Sequence, residues 1–124
     1  PSYDTCATPM VLDFAGGTTV SHSGTNKYSL DQYKGLCPAA KTGGPDVVYE
    51  FQAATGKTLT ATLTAPFESI LYVMTSACGT GVPLACSGSG TLTIQGLAGG
   101  KYWLFVDGTG EKEWGTFTLG LEVK

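Results

Sequence analysis

The side chains that could do chemistry in this chain are few and scattered. Its one histidine, His22, sits in Ser21-His22-Ser23. A Ser–His–Asp site needs a histidine held as a base against a nucleophilic hydroxyl. This one lies in a Thr/Ser/Gly-rich segment, which predicts a solvent-facing or simply hydrogen-bonded ring. No G-x-S-x-G elbow occurs, because Ser87-Gly88-Ser89-Gly90 has the wrong order. A carboxylate pair for glycoside hydrolysis would have to be Glu111 and Glu113. They flank Lys112 and read as a solvated hairpin tip. Asp46, Asp107, Glu111 and Glu113 are the candidate metal residues, since calcium wants roughly six to eight oxygens, although the D-x-D-x-D-G pattern is absent. Asp46 follows Gly-Gly-Pro and precedes an apolar run, so its carboxylate is expected to hold turn amides. Trp114, beside Gly115 in the same hairpin loop, is the candidate ligand contact, a ring able to stack on a sugar or a peptide. The expectation is no catalytic centre and no cofactor other than calcium.

Four cysteines, Cys6, Cys37, Cys78 and Cys86, are spaced too widely for the tight C-x₂₋₄-C pairs of zinc sites. An even number in a small β-rich chain reads as two disulfides and an oxidising compartment. Cys78 and Cys86 bracket a short Gly/Pro loop, which favours Cys78–Cys86 and, by elimination, Cys6–Cys37.

The elements that must position these residues are strands. Period-two alternation runs through Thr58 to Ala65, with Leu59, Ala61, Leu63 and Ala65 on one face and Thr58, Thr60, Thr62 and Thr64 on the other. Phe117, Leu119, Leu121 and Val123 repeat it at the C-terminus, as do Val47, Tyr49 and Phe51, then Leu71 and Val73, Leu92 and Ile94, and Tyr102, Leu104 and Val106. Trp103 and Phe105 make that last strand apolar on both faces, which predicts a central or covered strand. Gly, Pro, Asn and Asp clusters separate the runs. Many short strands at near-regular spacing mean a sandwich or barrel. Ser21 to Gly44 reads mostly as a long loop, anchored through Cys37.

The chain has 124 residues, enough for one domain over 1–124, with residues 1–44 irregular and 45–123 the strand-rich part. Charged residues are only 14%, against roughly 25% in an average globular protein. The net charge is −3 and Arg is absent, so nucleic acid is not an expected partner. No apolar stretch approaches the ~18 residues of a membrane span. Pro1 in place of an initiator Met fits a processed mature protein or an excised piece.

One ordered set of segments carries a family resemblance. It runs Gly44-Pro45-Asp46-Val47-Val48-Tyr49-Glu50-Phe51, Gly56-Lys57-Thr58-Leu59, Phe67-Glu68-Ser69-Ile70-Leu71-Tyr72-Val73, Cys78 with Leu84-Ala85-Cys86, Gly99-Gly100-Lys101-Tyr102-Trp103-Leu104-Phe105-Val106-Asp107-Gly108 and Gly115-Thr116-Phe117-Thr118-Leu119. This resembles the bacterial pre-peptidase C-terminal domain over Pro45 to Val123. The resemblance implies an antiparallel jelly-roll-like β-sandwich, carried as an accessory module by secreted hydrolases and surface proteins. Some relatives are collagen-binding modules that bind calcium. Glu68 stands where the family has Asp, and no protease domain is present.

The expected function is a non-catalytic extracellular binding or accessory module of a secreted or surface bacterial protein. Its partner would be an extracellular protein or polysaccharide. The alternative is a structural subunit of an extracellular fibre or surface assembly, binding copies of itself. There, the segment Pro1 to Phe14 would be donated to a neighbour's sheet edge rather than added to its own.

Overall fold

The computed structural model describes residues 2–30, 33, 37 and 44–124. The alternating runs form strands β1 (Met10–Val11), β2 (Thr19–Thr25), β3 (Asp46–Ala53), β4 (Leu59–Thr64), β5 (Ser69–Thr75), β6 (Ala85–Ser87), β7 (Thr91–Ile94), β8 (Gly100–Gly108) and β9 (Thr116–Val123). They make two sheets, β1-β3-β8-β5-β6 and β2-β9-β4-β7. Every pairing is antiparallel except β1 with β3, which is parallel. The all-β sandwich expected from the alternation is therefore the observed fold, and it carries two disulfides.

The inward faces build the main core. Leu63, Leu71, Leu104 and Leu119 are all buried in it, as the alternation requires, together with Val47, Tyr49, Phe51, Leu59, Val106 and Leu121. The outward face of the β2-β9-β4-β7 sheet is mostly hydroxyl, with Thr62, Thr64, Thr91 and Thr93 exposed. Truncating Leu104 to Ala is expected to cost about 2–5 kcal/mol, through lost burial and the cavity left behind. Thr62→Ala should stay within about 0.5 kcal/mol. Denaturant unfolding of the two variants checks both, and an equal cost for each would mean the sheet faces are wrongly assigned.

The outward face of the other sheet is covered. Val48, Ile70, Tyr72, Met74 and Phe105 form a second cluster there, with Trp103 half-buried at its side. Tyr72 and Phe105 stack at 4.6 Å, and Tyr33 meets Phe105 edge-on at 5.0 Å. This accounts for a strand that is apolar on both faces. Tyr33, Cys6, Cys37 and Cys78 all pack on this cluster.

That cover explains the disulfide pairing, which is Cys6–Cys78 and Cys37–Cys86. The expected Cys78–Cys86 and Cys6–Cys37 pairs do not form. Cys86 lies in β6 opposite Tyr72, on the strand whose outer face must be covered. Each of the two cysteines near β5 and β6 ties down a different N-terminal piece instead of closing its own loop. Gly79 is required beside the first bridge. Its φ of +79° suits glycine, and a Cβ would run into the Tyr33 ring and crowd Cys6 Sγ. Disulfides of this kind belong to secreted or periplasmic proteins.

The N-terminal segment adds to its own sheet, with Met10 opposite Tyr49 and Val11 opposite Glu50. The expected loop from Ser21 onward is in part a strand, because β2 pairs with β9 from Thr19 to Thr25. Its inward residues are Val20, His22 and Gly24, an alternation too polar to recognise. Within that expected loop, residues 31–32, 34–36 and 38–43 lie outside the described residues.

Candidate functional site: a braced aromatic tip

One end of the sandwich brings together the turn after β2 and the hairpin between β8 and β9. Asn26, with no exposed surface, braces the two. Its Nδ2 donates to Pro45 O at 3.0 Å and to Glu113 O at 3.2 Å, and its Oδ1 accepts from Gly115 N–H at 3.0 Å. Three loops thereby share one buried amide. The Glu113 carbonyl can come this close only because Gly108 beneath it has no Cβ. Glu113 Oε2 accepts the Glu68 backbone N–H at 3.1 Å, which ties the hairpin to the start of β5.

On this brace sits a turn whose Ser29 N–H donates to Asn26 O at 3.1 Å. Its third residue, Tyr28, has a φ of +68°. Turns with positive φ at that position reserve it for Gly or Asn, and a side chain with a Cβ there costs roughly 1–2 kcal/mol. The ring gains little packing in return, since it is 86% exposed. Trp114, 46% exposed, faces it across a cleft of about 310 Å³ lined also by Lys27, Pro45 and Glu111. Lys27 Nζ lies 5.0 Å from the Tyr28 ring centre and 5.2 Å from that of Trp114, within cation–π range of both. Leu30, two residues further on, is exposed as well.

Trp114, the residue expected as a ligand contact, is half-exposed at this tip near Tyr28, which the sequence did not single out. A positive φ leaves no mark on residue type. Asn26 was missed too, since a buried brace and a solvated loop asparagine look alike in sequence.

The four acidic residues are not brought to one point. Asp46 and Asp107 are cross-strand partners in β3 and β8, both fully buried. Asp46 Oδ2 accepts the Tyr33 N–H at 3.1 Å, a backbone amide 13 residues back along the chain. Glu111 is exposed at the hairpin tip, and Glu113 is committed to Glu68. Among the described residues no three His, Cys, Asp or Glu side chains converge as metal ligands. His22 is a hydrogen-bonded ring, its Nδ1 2.9 Å from the Tyr49 hydroxyl. Burial first, and the Tyr3 hydroxyl second, hold the Tyr49 phenol well above the ordinary tyrosine range, so it stays neutral.

No family model matches this chain, and no curated protein sequence matches it. Solved structures do share its fold. The Aeromonas hydrophila PliG, a periplasmic inhibitor of g-type lysozyme, is 18% identical with a TM-score of 0.69, over 93% of this chain and 95% of that one. The Salmonella Typhimurium PliG is 19% identical with a TM-score of 0.58, over 93% and 96%. The pre-peptidase C-terminal domain of a Bacillus anthracis collagenase is 15% identical with a TM-score of 0.50, over 86% and 90%. The resemblance read from the sequence therefore has a counterpart in the fold, and the chain superposes better on the A. hydrophila lysozyme inhibitor.

Proposed function

We propose that this chain is a non-catalytic, extracytoplasmic binding module that grips a protein partner with the tip formed by Tyr28, Lys27 and Trp114. One observation carries the reading: a tyrosine is kept in a glycine conformation while its ring stands almost wholly in solvent. Such local strain, without a packing gain, is what selection for contact with another molecule leaves behind. Exposed Tyr and Trp are also the side chains that anchor interfaces. The Asn26 brace keeps the tip preorganised, which lowers the entropy lost on docking. The solved inhibitors of g-type lysozyme that share this fold support a protein, specifically a g-type lysozyme, as the partner to test first.

Titrating a g-type lysozyme with the chain, read by calorimetry and residual lysozyme activity, is the direct test. Tyr28→Gly is expected to raise stability by about 1 kcal/mol, as the strain is released, while weakening binding tenfold or more. Trp114→Ala should weaken binding similarly at little cost in stability. A lysozyme that the wild-type chain does not bind is not its partner. Binding unchanged in both variants would remove the tip from the account. Retention of the wild type alone on an insoluble polysaccharide would move the same tip to a sugar ligand.

A further inference from the structure

A β-strand at the edge of a sheet exposes a row of backbone donors and acceptors, and proteins normally close such rows. Three of the four edges here are short or closed. β1 has two residues, and β6 has three and carries the disulfide-bonded Cys86. In β7 the Thr91 carbonyl accepts the Ser87 hydroxyl at 2.6 Å and the Ser89 hydroxyl at 3.3 Å. β2 is different: it is seven residues long, without Pro, Lys or a bulge.

The hydrogen-bond pattern shows which of its groups are open. Val123 N–H donates to Thr18 O and Asn26 N–H to Gly115 O, so even-numbered residues face β9. In an antiparallel ladder the alternate residues then point away. Those are Thr19, Ser21, Ser23 and Thr25. Thr25 is closed, because the Tyr3 hydroxyl accepts its N–H at 3.1 Å and donates to its carbonyl at 3.3 Å. The outward N–H and C=O groups of Thr19, Ser21 and Ser23 have no partner among the described residues. Their side chains are exposed as well.

We infer that β2 is a self-association edge, on which a second copy of this chain docks through its own β2, antiparallel about a two-fold axis at Ser21. The row is self-complementary. The axis sets Ser21 against Ser21 of the second copy, and Thr19 against its Ser23, so each outward residue meets an outward residue. Such opposed pairs exchange two hydrogen bonds each, about six in all. Hydroxyl side chains meet hydroxyl side chains on the solvent face, a favourable cross-strand pairing with no like charges opposed. The same register sets Gly17 of the second copy opposite Thr25, whose outward groups are already taken by Tyr3, so the new ladder ends there. The interface is isologous and closes at two copies.

Sedimentation of the wild-type chain from the micromolar to the millimolar range should show a monomer–dimer equilibrium. Ser21→Pro removes one outward N–H and leaves the β9 ladder whole, a position where an edge strand tolerates proline. It should weaken dimerisation at least tenfold with the melting temperature kept. Ser21→Lys and Ser21→Asp each oppose like charges across the axis and should be monomeric alone. Mixed together, they should restore a heterodimer at low salt. A wild type that stays monomeric throughout overturns the inference. So does a dimer that survives Ser21→Pro, or a Lys/Asp mixture that associates no better than either variant alone.

Discussion

Replacing Asn26 with Ala is expected to destabilise the protein by about 3–5 kcal/mol, near the upper end for a single substitution. The change removes the side-chain partner of the Pro45 and Glu113 carbonyls and of the Gly115 N–H in a buried to part-buried setting, where among the described residues only the Pro45 carbonyl keeps a second donor, the Gly108 N–H at 3.0 Å. Each buried group so orphaned costs about 1–3 kcal/mol, and not all of the groups can find water. Asn26→Asp should do no better at neutral pH, because a carboxylate can accept from Gly115 but cannot donate to two carbonyls. The Asp variant should recover part of its stability as pH falls. Its carboxyl would titrate higher folded than unfolded, so the protonated, donating form is favoured in the folded state at low pH. Denaturant unfolding at two pH values measures both effects. A loss below about 1 kcal/mol for Asn26→Ala would mean that the three loops hold one another without it. The proposed binding tip should suffer with the brace, so affinity in the Ala variant is expected to fall even where the fold survives.

Reduction of both disulfides should unfold the chain at or near ambient temperature. The bridges join residues 72 and 49 apart in sequence. Loops of that length contribute about 4 kcal/mol each by restricting the unfolded chain. Together they match the whole net stability of an ordinary domain, about 5–15 kcal/mol. They also hold the cover on the Val48–Tyr72–Phe105 cluster, so breaking them exposes a second apolar surface. Thermal melts with and without reductant measure the total. The double variants Cys6→Ala with Cys78→Ala, and Cys37→Ala with Cys86→Ala, separate the two bridges. Superimposable melts would show that the cover is held by packing alone.

The sandwich was legible wherever one face of a strand meets water. Thr58 to Ala65 announces itself because polar and apolar residues strictly alternate, and the same holds for Phe117 to Val123. β8 was legible as a covered strand from Trp103 and Phe105, but its cover was not, since that cover comes from distant residues such as Tyr33 and Cys37. β2 was lost because His22 and Gly24 occupy inward positions, one held by Tyr49 and the other crowded by the Tyr3 and Tyr49 hydroxyls. The cysteine pairing was misread for a related reason. Loop length is a local quantity, whereas the need to tie a cover onto a sheet appears only once the sheet exists. At the tip, Trp114 stood out as a large aromatic among turn residues. Tyr28 did not, because what marks it is a backbone angle.

The crossed arrangement of the bridges also sets the order of events during oxidation. Cys78 and Cys86 are only 8 residues apart, whereas the native partners are 72 and 49 apart. In the unfolded chain the near pair meets roughly ten to thirty times more often than either native pair. The first bond made by a newly exported chain is therefore usually one that the folded protein does not contain. It must be attacked by Cys6 or Cys37 and exchanged before the outer face of the sheet can be covered. Maturation is then expected to be limited by thiol–disulfide reshuffling rather than by strand pairing, and the yield of this small domain to rise with the isomerase capacity of the compartment that receives it.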